Sequence, residues 1–212
     1  MPKKVLIIVD VQKDFCAGGA LAVPGAEDII PVINRLMAQG GYDLVIATKD
    51  WHPPDHISFA PEYVGKAHCV QGTDGAELHR GLNRAAINFI QHKGEDPNVD
   101  SNSAFRDNAH DRLTGLDAYI REQAGDDAEI HVCGLVTGRC VKLTALDARE
   151  LLPKAKVIFI EDASQGKVES SIRAKREMAE AGIDIVNSQT ILPAQPSAHI
   201  RQNVTRSFSG KG

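Results

Sequence analysis

Residues 5–10 read VLIIVD, five consecutive apolar residues that end at Asp10. A short, continuous apolar run of this kind is typical of a strand that is buried on both faces of a parallel sheet. Comparable runs recur along the chain. They predict strands at residues 5–9, 44–47, 86–91, 130–135, 157–160 and 183–186.

Amphipathic segments lie between these runs, at about 26–39, 109–124, 139–152 and 168–181. Alternating strands and helices predict an α/β fold, a doubly wound parallel sheet of about six strands with helices on both faces, in a three-layer Rossmann-like arrangement. The simplest organisation is a single domain over residues 1–192 and a C-terminal tail over 193–212. The tail loses the periodicity, and we expect it to be partly disordered.

The composition disfavours several classes of function. The net charge is −4, from 24 basic and 28 acidic residues, and no long basic run is present, which disfavours binding to nucleic acid or to an anionic membrane. No apolar stretch approaches the roughly 18 residues of a membrane span, and the N-terminus lacks a signal-peptide cleavage site. The four cysteines show no paired spacing, which is typical of free thiols in a reducing compartment. We therefore expect a cytoplasmic protein that acts on a small molecule; the oligomeric state, a homo-oligomer included, is left open.

The segment TKDWHPPDHISF, residues 48–59, has the composition of a metal site. Asp50 and His52 are two residues apart, so on extended backbone they point the same way. His56 follows in a turn stiffened by two prolines, and His68 follows a further loop. One carboxylate with imidazoles suits zinc, iron or manganese. On spacing alone, an alternative remains: these histidines cap turns and bond backbone carbonyls.

Cys140 is the candidate nucleophile. It follows GLVTGR and opens CVKLTALDARELL, a helical pattern. At a helix N-terminus the macrodipole is expected to lower the pKa of the thiol, and backbone N–H groups are available to an oxyanion. The alternative, an inert buried cysteine, is the better interpretation of Cys16, Cys69 and Cys133.

Two further strand-end residues complete an acyl-transfer set. Asp10 is placed to shuttle a proton between the thiol and the leaving group. Lys93 is placed to keep Asp10 ionised and to favour the thiolate of Cys140. Because the carboxyl ends of parallel strands share one edge of a sheet, we expect all three residues to converge there.

Five ordered stretches together resemble the nicotinamidase/pyrazinamidase branch of the isochorismatase-like cysteine hydrolases. They are IIVDVQKDFCAGGALAVPGAEDIIPVIN, TKDWHPPDHISF, HCVQGTDGAELH, KGEDPNVDSNSAF and CGLVTGRCVKLTALDA. The resemblance extends from about residue 4 to 192. It implies the isochorismatase-like fold, with Asp10, Lys93 and Cys140 as a catalytic triad.

The resemblance also implies one divalent metal ion, zinc in the first place and iron or manganese as alternatives. Asp50, His52 and His68 match the ligands of the family, and His56 matches a fourth position that binds directly or through water. The implied substrate contacts are Phe15, Leu135 and Val136.

The implied reaction is hydrolysis of nicotinamide to nicotinic acid and ammonia through a thioester, with pyrazinamide as an analogue substrate and a role in NAD salvage. The backbone N–H groups of Val136 and Cys140 would form the oxyanion hole, and the Leu135–Val136 peptide bond matches a non-proline cis bond of the family.

The chain departs from the family at the substrate walls and next to the nucleophile. Gly65 and Asn102 stand where relatives usually have Trp and Tyr, and Gly138 and Arg139 replace an acidic residue and an aromatic or histidine residue. Two alternatives therefore stay open: a related hydrolase of another small amide or carbamoyl compound, and a catalytically silent ligand-binding relative.

Overall fold

The structure, a computed structural model, describes residues 1–193. Its six strands form one parallel sheet in the order β3-β2-β1-β4-β5-β6. The strands are β1 (Lys4–Val9), β2 (Leu44–Asp50), β3 (Phe89–Lys93), β4 (Glu129–Leu135), β5 (Lys156–Gln165) and β6 (Asp184–Val186). The α-helices are α1 (Ile30–Gln39), α2 (Leu116–Ala124), α3 (Lys142–Leu151) and α4 (Val168–Glu180). The predicted doubly wound α/β fold is confirmed.

The central strand β1 feeds two hydrophobic cores, one on each face of the sheet. Val5, Ile7 and Val9 pack into the core covered by α2, α3 and α4, whereas Leu6 and Ile8 pack into the core covered by α1. All five side chains are fully buried. Burial on both faces explains why the sequence of β1 is continuously apolar rather than alternating.

Several predicted boundaries are wrong, among them the start of β3, the start of α2 and the end of β5. β3 begins at Phe89 rather than 86, because residues 84–86 form a short 3-10 turn. α2 begins at Leu116 rather than 109, after Gly115, whose φ of +88° cannot continue a right-handed helix. β5 continues to Gln165, well beyond residue 160, with a register shift in its pairing with β4.

The predicted tail falls almost entirely on residues 194–212, which lie outside the described part of the chain, so the domain boundary at 192 stays a prediction. No helix within residues 1–193 is long and apolar enough to cross a bilayer. All four cysteines are buried and unpaired.

Candidate active site

A cavity of about 190 Å³ opens at the carboxyl edge of the sheet. It lies where the strand order reverses: β2 and β3 are added on one side of β1, and β4 is then added on the other side of β1. Ligand sites of open α/β sheets form at such switch points. The lining residues are Asp10, Phe15, Leu21, Val23, Asp50, His52, Val64, His68, Asp100, Asn102, Leu135, Val136, Arg139 and Cys140.

Lys93 is the hub of the buried polar groups beneath this cavity. Its Nζ lies 2.9 Å from Asp10 Oδ2, 2.5 Å from Asp50 Oδ1 and 3.7 Å from Cys140 Sγ, and it donates to the Ser101 carbonyl at 3.1 Å. Carboxylate oxygens of Asp10 and Asp50 and the Cys140 sulfur all lie within 4.8 Å of one another. The structure therefore brings the three predicted triad residues together.

Thr48 fixes the Asp10 carboxylate from the neighbouring strand. Its hydroxyl donates to Asp10 Oδ1 at 2.6 Å and accepts from the Asp10 N–H at 3.1 Å. Asp10 Oδ2 forms an ion pair with Lys93 but has no aligned hydrogen bond, so one lone pair is available for a proton. Burial raises the pKa of Asp10 to about 6, against the opposing charge of Lys93.

The pKa of the thiol differs from the sequence-based expectation. Cys140 lies in a wide turn, residues 137–141, just before α3. Burial raises its pKa well above the usual value, and the positive charges of Lys93 and Arg139 offset only part of that rise. The predicted lowering of the pKa is therefore wrong for the resting site, because desolvation outweighs the favourable charges. The raised pKa favours a thiol with a nearby base over a preformed thiolate.

Burial tends to lower the pKa of Lys93, but the two carboxylates beside it raise that pKa well above its usual value. Lys93 is thus an ammonium ion at neutral pH. Burial likewise tends to raise the pKa of Asp50, but Lys93 and His52 lower it below its usual value. Asp50 is thus an anion, the form that binds a cation.

Asp50, His52 and His68 present ligand atoms that lie within 4.8 Å of one another, and all three residues are buried. His52 Nδ1 contacts the Gly94 carbonyl at 2.9 Å, and His68 Nδ1 contacts the Lys66 carbonyl at 2.8 Å. A carbonyl oxygen can only accept a hydrogen bond, so the Nδ1 atom of each ring is the protonated one. The Nε2 lone pair of each ring is therefore left for a metal. Burial also lowers the pKa of His68 and favours the neutral ring.

His56 is arranged in the opposite way. Its Nδ1 accepts from the Ser58 N–H at 3.3 Å and lies 2.7 Å from Ser58 Oγ, so the proton of the neutral ring is on Nε2. That Nε2 is buried without a partner in the described part of the chain. His56 also belongs to a second group of possible metal ligands, together with His52 and Asp100. An N–H in this position suits a contact to a metal-bound water rather than to the metal itself.

The donor set therefore fits a divalent cation that prefers nitrogen and oxygen ligands. One anionic carboxylate and two imidazoles with free Nε2 atoms match the ligand types of zinc, iron and manganese. The buried Nε2–H of His56, which has no partner among the described residues, could donate to a further polar group at this site.

Phe15, Leu135 and Val136, the predicted substrate contacts, all line the cavity. The Leu135–Val136 peptide bond is cis, as the resemblance implies. Among the described residues the Val136 N–H has no acceptor, and it stands four residues before the backbone N–H of Cys140. The two predicted oxyanion donors thus flank the turn that carries the sulfur.

At the two departures from the family, the cavity wall is polar at Asn102 and aliphatic at Val64, beside Gly65. Asn102 Oδ1 lies 3.9 Å from Cys140 Sγ. Gly65 is not among the lining residues, whereas its neighbour Val64 is. Trp51 does not replace a missing wall, because its indole stacks on His92 at 4.7 Å, outside the lining.

Sequence reasoning did not identify Leu21, Val23, Val64, Asp100 and Arg139 as lining residues. Leu21 and Val23 alternate in GALAVP, a pattern that indicates two side chains on one side of an extended loop, but nothing in that pattern names the cavity they face.

Two supporting residues were also missed. Gln12 exchanges hydrogen bonds of 2.8 Å with both the N–H and the carbonyl of Asp50, which holds the end of β2 in place. Gly94 has a φ of +66°, and a Cβ there would lie 2.6 Å from His52 Nδ1. Only glycine leaves room for the His52 ring.

A second cluster of ligand-type atoms joins Cys16, Glu27 and His79, again within 4.8 Å. Two of its members already have partners, because Glu27 accepts from the Ala17 N–H at 2.6 Å and His79 Nδ1 accepts from the Gly81 N–H at 3.1 Å. Burial and the charge of Glu27 raise the pKa of Cys16 to about 11. The hydrogen bonds of Glu27 and His79 go to backbone N–H groups, so we assign this cluster a structural role.

Comparison with known proteins identifies the family. The profile of the isochorismatase domain matches residues 4–190. The chain belongs to the isochorismatase family. Within this family, the nicotinamidase of Escherichia coli strain K12 is 43% identical over 203 residues, which cover 86% of this chain and 93% of the relative. The predicted nicotinamidase/pyrazinamidase branch is confirmed.

Solved structures of the family agree. The PnC1 protein of L. infantum in complex with nicotinate superposes with a TM-score of 0.82 at 36% identity, over 92% of this chain and 96% of that one. The pyrazinamidase of Pyrococcus horikoshii in complex with zinc gives a TM-score of 0.74 at 38% identity, over 88% and 99% of the two chains.

Proposed function

We propose that the protein is a metal-dependent cysteine amidohydrolase that converts nicotinamide to nicotinic acid and ammonia, with pyrazinamide as an analogue substrate. The observation that carries this proposal is the convergence of Cys140, Lys93 and Asp10 at one cavity beside three metal-ligand side chains. The relatives named nicotinamidase, and the related chain that holds nicotinate, support the substrate.

Acylation begins when Asp10 Oδ2 takes the proton of Cys140 as the sulfur attacks the amide carbon. The ammonium of Lys93, 3.7 Å from the sulfur, stabilises the negative charge that develops there. The N–H groups of Val136 and Cys140 donate to the oxyanion of the tetrahedral intermediate. Asp10 then returns its proton to the departing nitrogen, which leaves as ammonia.

Deacylation uses the same groups in reverse. Asp10 takes a proton from water as the water oxygen attacks the thioester carbon, and the proton returns to the sulfur when the acid is released. A pKa of about 6 suits Asp10 for both directions of transfer, because such a carboxyl group is mostly ionised at neutral pH and still a usable acid.

A bound divalent ion, with zinc as the first candidate, would be held by Asp50, His52 and His68, with His56 in contact through water. When bound, it supplies a Lewis-acid contact for the ring nitrogen of the substrate and so orients the ring. Phe15, Leu135 and Val136 form the apolar side of the pocket. We also propose a cytoplasmic location, since four unpaired thiols suit a reducing compartment.

The test is ammonia release from nicotinamide, pyrazinamide and an N-carbamoyl amine, measured on the metal-loaded protein. We expect nicotinamide and pyrazinamide to be hydrolysed, and Cys140→Ala to lower kcat by at least about 10³-fold, because the nucleophile is lost. Cys133→Ala is the matched control, because it also removes a buried thiol, but one that lies within β4 and does not line the cavity. Preference for the N-carbamoyl compound would favour the alternative hydrolase, and undiminished activity of Cys140→Ala would refute the mechanism.

A further inference from the structure

Arg139 stands out among the residues that line the cavity. It is the only lysine or arginine of that lining within the described residues, it is exposed, and it directly precedes the nucleophile Cys140. No carboxylate of residues 1–193 lies within 4.0 Å of its guanidinium group. Lys93, by contrast, is fully engaged by two carboxylates. Arg139 therefore brings an uncommitted positive charge to the substrate cavity.

The reaction changes the charge of the ligand, which gives such a cation a specific task. The amide is neutral, whereas the acid product is an anion at neutral pH. Three carboxylates, Asp10, Asp50 and Asp100, line the same cavity, and Lys93 pairs with the first two of them. Without Arg139, the side chains at the cavity therefore carry more negative than positive charge. A guanidinium group offers a planar pair of N–H donors that matches a carboxylate and is always charged.

The position of Arg139 also follows from local packing. Gly138 leaves no room for a side chain, since a Cβ there would lie 2.7 Å from Ser170 Cβ on α4. The turn before the nucleophile can therefore carry a long polar side chain at 139 but none at 138. The acidic residue that relatives usually carry at 138 is absent, so the charge of Arg139 is not neutralised by its neighbour.

We propose that Arg139 is the acid-recognition residue of this cavity, which pairs with the carboxylate of nicotinic acid and related aromatic acids and leaves binding of the neutral amide almost unchanged. This inference rests on the proposed function, because it takes the acid to be the product. It makes Arg139 a specificity-determining residue, and it predicts marked inhibition by product.

The experiment compares Arg139→Gln, Arg139→Lys and the wild type as metal-loaded proteins. The competitive Ki of nicotinate and the KM of nicotinamide are measured by steady-state kinetics, and nicotinate is titrated calorimetrically at low and high salt. We expect Arg139→Gln to weaken nicotinate roughly tenfold or more, the range of a charge-assisted hydrogen bond, while the KM changes less than about twofold. Arg139→Lys retains part of the affinity, and added salt weakens binding to the wild type more than to Arg139→Gln.

Arg173→Gln is the matched control, an exposed arginine on α4 outside the lining, and it should leave both constants unchanged. If Arg139→Gln leaves the affinity for nicotinate unchanged, or weakens the binding of acid and amide equally, the inference is overturned. Ammonia release from nicotinamide would in that case still support the proposed function. A wild type that neither hydrolyses nicotinamide nor binds nicotinate would overturn both.

Discussion

The tautomers of the three site histidines, which their hydrogen-bond partners fix, decide what each ring can do. His52 and His68 donate through Nδ1 to backbone carbonyls, so both present a bare Nε2 to the cavity. His56 accepts at Nδ1 from Ser58 and so presents an N–H. The three imidazoles cannot be distinguished by residue type. Their hydrogen bonds identify His52 and His68 as metal ligands and His56 as a hydrogen-bond donor.

This difference predicts unequal metal affinities. His68→Gln should abolish tight zinc binding, because a ligand is lost, while His56→Gln should weaken it only about tenfold, the effect of an outer-shell partner. Zinc affinity is measured by competition with a chromophoric chelator, with melting temperature as the check on folding. Equal losses in the two variants would show that His56 is a direct ligand.

Sequence patterns located the reactive residues but not their ionisation. Asp10 and Lys93 could be placed because each ends a recognisable strand, and Cys140 because it opens a helical pattern. The raised pKa of Cys140 could not be predicted, because it depends on burial by segments distant in sequence. Arg139 was noticed only as a departure, since nothing local indicates which way a long side chain in a turn extends.

The loop after β3 connects the metal ligands to the triad. Lys93 ends the strand, and Gly94, the next residue, turns the chain at a φ of +66° and accepts from His52 through its carbonyl. This one backbone turn therefore helps to position both the ammonium group of Lys93 and the ring of His52. A side chain at 94 would push against that ring.

Gly94→Ala tests this coupling against a matched control. Gly72 has a similar φ of +75° but no atom within 4 Å of the Cβ position, so Gly72→Ala pays only the conformational cost of about 1–2 kcal/mol. We expect Gly94→Ala to lose more stability than Gly72→Ala, by chemical denaturation, and in addition to lose zinc affinity. If the two variants behave alike, the steric contact with His52 is not significant.

The turn that carries Cys140 is held by α4. The missing side chain of Gly138 lets Ser170, in the first turn of α4, approach the nucleophile turn closely. α3 and α4 both border this turn, which explains how a buried sulfur keeps a fixed position at the end of β4. Element boundaries were the least predictable feature here, because Gly115 and the turn at 84–86 act through backbone geometry rather than through hydrophobic period.

The chain as a whole is organised around the switch point between β1 and β4. Asp10 follows the first of these strands and Cys140 follows the second, so the base and the nucleophile meet where the sheet changes winding direction. The apolar runs predicted this sheet because a strand that is buried on both faces needs apolar residues at nearly every position. The cavity walls were less predictable, since Leu21, Val23 and Val64 come from irregular loops whose course depends on the assembled sheet.

The central claim is that hydrolysis passes through a thioester on Cys140, and competition between water and hydroxylamine tests it most directly. The measurement is the ratio of hydroxamate to acid formed by the metal-loaded enzyme from nicotinamide and, separately, from methyl nicotinate. A common acyl-enzyme predicts the same ratio from both substrates and no hydroxamate from Cys140→Ala. Different ratios from the amide and the ester, or hydroxamate formed by Cys140→Ala, would contradict the account.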